Sequence, residues 1–143
     1  MKFPIGVLLA NKEEAVVYKM NYATSDLLKI ESFTVEGLGI HLHTQALRDG
    51  FYQKGSMPTH FWDPHSQAAD IEREQFCKKL TQELKRIQHQ EYFERLLILA
   101  ESKMLGKVRE HLDHHLFGNV VEVSKNVTNM PVSALRDYIL PLL

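Results

Sequence analysis

Two short apolar runs constrain this chain more than anything else in it: Ile5–Ala10 (IGVLLA) and Arg95–Ala100 (RLLILA). Neither alternates between apolar and polar residues. Uninterrupted runs of this length suit strands buried on both faces, as in the centre of a parallel or mixed sheet. Such strands need helices packed over the sheet, which points to an α/β protein.

The remaining segments supply the other parts. Ala15–Met20 (AVVYKM) is rich in β-formers. Leu27–Val35 alternates, which assigns Leu28, Ile30, Ser32 and Thr34 to one face and Leu27, Lys29, Glu31, Phe33 and Val35 to the other. Turns at Asn11–Glu13 and Asn21–Asp26 join these strands into an antiparallel meander, which Gly37 and Gly39 end. His41–Arg48 predicts a short helix. Gln67–Gln90 is the clearest helix, with Phe76, Cys77, Leu80, Leu84 and Ile87 at helical spacing. Ser66 is placed to cap it, and Asp70 and Glu72 suit the positive end of its dipole. Ser102–His115 reads as a helix with Gly106 as a point of interruption, and Asn119–Ser124 (NVVEVS) as a strand. A last helix spans Val132–Leu142, opened by Pro131 with Asn129 as its cap. The order β-β-β-α-β-α-β-α predicts a single α/β domain over 1–143, with a mixed sheet of about five strands and a ribonuclease-H-like arrangement.

Composition narrows the function. The chain has 143 residues, 44% of them hydrophobic and 24% charged, with a net charge of −1. The charge is balanced on both sides of Ser66, so there is no strong signal for duplex nucleic acid. One cysteine, Cys77, excludes an intrachain disulfide and suits a reducing compartment. No run approaches the length of a membrane span, and the N-terminal segment lacks a signal-peptide pattern. The expectation is a cytoplasmic protein without a membrane partner.

Chemistry-bearing motifs are sparse. Two-metal hydrolysis needs several carboxylates at strand ends, but the first strand ends in Asn11, and Asp70, Glu74 and Glu101 do not form a convincing set. His111 and His115 stand four apart, a spacing that places both on one helical face, yet the metalloprotease glutamate is missing. No metal and no cofactor are expected. Ser102-Lys103 after a strand offers a helix N-terminus to an anion or is a plain βα turn. Cys77 reads as inert packing. The segment Asp49–Ser66 has neither helical nor strand period, and long structureless stretches inside compact domains are uncommon. Its Tyr52, Gln53, Lys54, Gly55, Ser56, His60, Phe61, Trp62 and His65 form a candidate partner-binding loop, with aromatics able to stack on bases or to pin the loop to its own sheet. Arg73, Lys78 and Lys79 on the following helix could extend it as a phosphate track, or form a solvated face with Lys85 and Arg86.

Several motifs together resemble the bacterial host attachment protein family, "protein required for attachment to host cells". Glu72, Phe76, Cys77, Leu80 and Leu84 match its acidic-start helix. Phe93–Ala100 matches its F-D-x-L-V-L-V-A strand, and Met104, Leu105, Gly106, Val108, Arg109 and Leu112 its next helix. Lys125, Asn126, Val127, Thr128, Pro131, Leu135 and Arg136 match its last segment, and LLANKEEAVVYKM resembles its start. The family is similar in turn to the middle domain of archaeal and eukaryotic peptide-chain release factors, whose Gly-Gly-Gln loop sits between the third strand and the long helix. This chain has Gln53-Lys54-Gly55-Ser56 there and lacks the paired glycines. The resemblance implies a release-factor-like domain, non-enzymatic, contacting ribosome or tRNA through loop 49–66. Its alternatives are an indirect role in host attachment or adhesion, and a hydrolase acting on a peptidyl-tRNA ester or a phosphodiester.

Overall fold

The computed structural model describes residues 4–21, 24–40 and 64–143, with side chains of the long helix from residue 68 onward. Five strands form one mixed sheet: β1 (Ile5–Ala10), β2 (Glu14–Met20), β3 (Leu27–Thr34), β4 (Arg95–Ala100) and β5 (Asn119–Ser124), in the spatial order β3-β2-β1-β4-β5. β2 pairs antiparallel with β1 and β3, while β4 pairs parallel with β1 and β5. The two apolar runs are therefore neighbours at the centre, and every residue of β1 is buried.

Helices cover both faces. Helix α1 (Pro64–Glu91) and helix α2 (Ser102–His111) pack on one face, where Phe76, Leu80, Leu84, Ile87, Met104 and Val108 meet Leu8, Val17, Leu96 and Ile98. Helix α3 (Val132–Ile139) closes the other, setting Leu135 and Ile139 on Ile5, Val7, Leu9, Leu97 and Leu99. Among the described residues, no helix is long and apolar enough to cross a membrane.

Four local expectations need correction. α1 begins at Pro64 rather than Gln67, because proline's fixed φ and missing N–H suit a first helical position. Ser66 is thus inside the first turn and not its cap, and that turn contains no acidic residue. α2 runs unbroken through Gly106 but stops at His111: Leu112 turns extended, and the Asp113 side chain accepts from the His115 N–H to start a separate 3₁₀ turn, His114–Leu116. His111 and His115 therefore do not share a helical face. α3 has Pro131, not Asn129, at its N-cap, and its predicted tail is a 3₁₀ turn, Leu140–Leu142. In β3 the strict alternation fails. The register slips opposite Val17/Tyr18, so that Glu31 faces Val17 while Lys29 faces Tyr18 and Ile30 is the extra residue of a bulge. Leu27 consequently joins the α3-side core and Phe33 the α1-side core. The helix predicted over His41–Arg48 lies outside the described residues.

Candidate functional site

β1, β3, β4 and β5 all point the same way, so their carboxyl ends share one edge of the sheet. In open α/β sheets, ligands bind in the crevice outside that edge. A cleft of about 630 Å³ lies there, lined by Asn11, Lys12 and Glu13 after β1, Arg73 of α1, Glu101, Ser102 and Lys103 where β4 passes into α2, and Asn126 after β5.

The rim is built by short polar links. Asn11 Oδ1 accepts from the Glu13 and Glu14 N–H groups, each at 2.8 Å, which makes the β1–β2 turn. Its Nδ2 donates to Thr128 Oγ1 at 2.9 Å, and that hydroxyl donates to Asn126 Oδ1 at 2.8 Å. Asn11 thus ties the first turn to the segment after β5. The residue where a nuclease would place a carboxylate is occupied as a turn-former. Ser102 Oγ and Ser124 Oγ are 2.7 Å apart and join the ends of β4 and β5. Arg73 reaches the cleft from α1 with its side chain only 10% exposed and Nη1 bound to Asp70 Oδ1 at 2.6 Å. Its Nε is buried and has no hydrogen-bond partner among the described residues.

The predicted phosphate track divides. Arg73 faces the cleft. Lys78 and Lys79 are both exposed; Lys79 Nζ donates to the Leu38 carbonyl at 2.7 Å, in the turn after β3. At 3.6 residues per turn, positions 78 and 79 lie about 140° and 120° from Arg73, on opposite sides of it. Arg86 is engaged by Glu83 and Glu31. Tyr52, Gln53, Lys54, Gly55, Ser56, His60, Phe61 and Trp62 lie outside the described residues, as does the side chain of His65. What is described is where that segment is attached. Ile40 and Pro64 flank it: Ile40 N–H bonds the Val35 carbonyl just beyond the carboxyl end of β3, and Pro64 is the first residue of α1, nine residues before the cleft residue Arg73.

A second charged cluster links α1 to α2. Glu74 meets Lys107 Nζ at 2.8 Å through one carboxylate oxygen and His111 Nε2 through the other. The hydrogen bond from Lys107, then that from His111, holds the Glu74 carboxyl below its usual range. Glu74, Glu110 and His111 each bring a ligating atom within 4.8 Å of the others. Lys107 already supplies a positive charge there, so the cluster works as a clasp between helices. Burial pushes the Cys77 thiol up to about 12, which leaves it a packing residue, 4.0 Å from Met104 Sδ. Sequence reasoning missed the cleft as a unit. Its Lys12, Glu13 and Asn126 are common turn residues, and Arg73 and the Ser102-Lys103 turn were singled out separately, with nothing in the sequence to join them.

A family model described as "Protein required for attachment to host cells" matches residues 6–139. Among known proteins, "Uncharacterized protein RP470" of Rickettsia prowazekii (strain Madrid E) is 30% identical over 143 residues, covering 94% of this chain and 95% of that protein. Two structures of the Aquifex aeolicus Ppx/GppA phosphatase align over 84% of this chain with TM-scores of 0.39 and 0.40 and identities of 14% and 11%. The chain spans 36% of the length of each.

Proposed function

We propose, from the premise that this chain belongs to the family of proteins required for attachment to host cells, that it is a cytoplasmic, non-enzymatic factor of the release-factor middle-domain type. It contacts ribosome or tRNA through the carboxyl edge of its sheet. One observation carries the reading: segment 41–63 leaves the fold just beyond the carboxyl end of β3 and leads into α1, the helix whose Arg73 lines the cleft at that edge. Lys12 and Lys103, exposed at the cleft, are then available for backbone contacts to a phosphate-rich partner bound through loop 49–66. The sheet order, with β2 alone antiparallel to its neighbours, supports a ribonuclease-H-like fold. The loop's Gln53-Lys54-Gly55-Ser56 lacks the release-factor tripeptide, which favours contact over ester hydrolysis. In a sedimentation assay, tagged protein travels with ribosomes, stalled ones included, in a fraction that declines as salt rises. Protein that never co-sediments at any salt concentration rejects this role.

The family description favours a second reading, an indirect part in host attachment. Loss of the protein then lowers attachment while intact protein stays inside the cell. Surface exposure on intact cells would overturn the cytoplasmic placement and favour direct contact.

A further inference from the structure

We propose that the outer edge of β5 is a self-association surface, where a second copy of this chain adds its own β5 antiparallel and joins the two sheets into one. The dimer goes beyond the ribosome reading and does not require it.

The two edges of the sheet are the first reason. An edge strand presents unpaired N–H and C=O groups, and folded proteins blunt such edges with lysines, prolines or bulges. β3 is blunted: it carries the bulge at Ile30, beside the exposed Lys29. β5 has none of these devices. Its residues, NVVEVS, keep unbroken register with β4 from Asn119 to Ser124 and include no lysine and no proline. Among the described residues, no strand pairs with its outer side. A flat, valine-rich edge left open in this way is a template for another strand.

Apolar surface and charge give a second, independent reason. Val120 packs toward the face that carries α1 and α2, whereas Val121 and Val123 pack toward the α3 face, and all three are only half-buried. Glu122 is the one charged residue of the strand. Arg109 of α2 neutralises it, Nε donating to Oε1 and Oε2 at 2.9 and 3.1 Å. The edge thus has no net charge, and the whole chain carries only −1, so a second copy meets no long-range repulsion.

Symmetry selects the register. A two-fold axis perpendicular to the sheet joins like faces, so each residue meets itself or one an even number of positions away. Centring on Val120 pairs only Asn119–Val121, and centring on Val123 only Glu122–Ser124. Centring on Glu122 sets two carboxylates directly opposite, which destabilises a strand pair. Centring on Val121 sets Val121 against its own copy, Val120 against Glu122 and Asn119 against Val123. The two Glu122 carboxylates are then only diagonal neighbours, each held by its own Arg109. This self-complementarity favours a second copy over an unrelated strand. Strands of six residues bury less than the roughly 1,200 Å² of a stable interface, so the dimer is weak and forms as concentration rises.

Sedimentation velocity of the purified protein over a concentration series, without ribosomes, tests this. The wild type is expected to pass from monomer to dimer. Asn119→Lys should raise the dissociation constant about tenfold or more, because it places two unpaired lysines in the interface. Ser32→Lys, an equal charge change on the β3 edge, should leave it unchanged. Both positions are exposed, so both variants keep the fold, which circular dichroism checks. Val121→Cys reads the register. Mild oxidation should link it into a disulfide dimer but leave Val120→Cys unlinked, since only position 121 meets itself. The native Cys77 is buried and does not compete. A wild type that is monomeric at every concentration overturns the proposal and leaves the edge to a strand of another protein. Equal weakening by Asn119→Lys and Ser32→Lys, or equal linking of Val120→Cys and Val121→Cys, also overturns it. A dimer without ribosome co-sedimentation would break the ribosome reading alone; co-sedimentation of a protein that stays monomeric would break this proposal alone.

Discussion

The two ends of the sheet are built on opposite principles. At the amino end the chain is sealed. Phe93 is 1% exposed and lies against Gly6, where an added Cβ would stand 2.4 Å from its ring. The buried Gln88 side chain locks that end: Oε1 accepts from the Phe93 N–H at 2.8 Å, while Nε2 donates to the carbonyls of Phe93 and Leu116 at 3.0 and 2.8 Å. At the carboxyl end, β1, β4 and β5 run out into Lys12, Glu101, Lys103 and Asn126, all exposed around a cleft. One end commits the Gln88 side chain and the backbone around it to the fold. The other keeps cations and helix N–H groups directed at solvent, where a ligand can use them. The closed end and the exposed polar end are thus separated along the strand direction, and it is at the carboxyl edge that open α/β sheets place their ligands.

That separation breaks first at the amino end. Gly6→Ala forces the Phe93 ring out of a closed core and should cost about 3 kcal/mol, the upper part of the range for overpacking. Urea unfolding measures it, and a loss below about 1 kcal/mol would mean the seal is soft. Gln88→Ala leaves a buried N–H and two carbonyls without their partner and should cost about 2 kcal/mol. Both variants, once folded, should keep the wild-type salt dependence of ribosome co-sedimentation.

A smaller effect tests the clasp between the helices. Because the folded-state pKa of Glu74 is lowered, its contribution is present above the ordinary carboxylate pKa of 4.5 and is lost as pH falls through the depressed folded value. Glu74→Gln should therefore flatten stability against pH on the acid side of 4.5, with little change in slope between pH 6 and 8. The side chain is 35% exposed, so solvent screening keeps the effect below about 1 kcal/mol at neutral pH. An unchanged acid limb in pH-dependent unfolding would mean the clasp is only decorative.

The sequence revealed the sheet's centre well and its margins poorly. IGVLLA and RLLILA suit interior strands, and the spacing of Phe76, Leu80, Leu84 and Ile87 suits a helix packed on that sheet. What escaped depended on single residues acting against the local pattern. Ile30 reads as one more alternating residue, yet a bulge there puts Leu27 and Phe33 on opposite faces. Asp113 reads as one more polar helix residue, yet its side chain accepts from His115 and begins a new turn. Neither carries a periodic signal, because each is decided by pairing with another segment or by a local side-chain bond. The cleft was illegible for a related reason. Its lining comes from four stretches separated in sequence, and only the fold brings Asn11, Arg73, Ser102 and Asn126 together.

The smallest expected effect on stability is the sharpest test of the contrast. Lys12 and Lys103 are exposed at the cleft, so Lys12→Gln and Lys103→Gln should each change unfolding free energy by no more than about 0.5 kcal/mol. If the carboxyl end is reserved for a partner, the same variants should reduce ribosome co-sedimentation and shift its salt midpoint downward, since each removes one phosphate contact. A large loss of stability in either would place these lysines among the groups that hold the fold, and the two ends would no longer differ in kind. Wild-type stability with reduced, less salt-resistant binding would instead locate the partner at the end of the sheet where the fold has no use for charge.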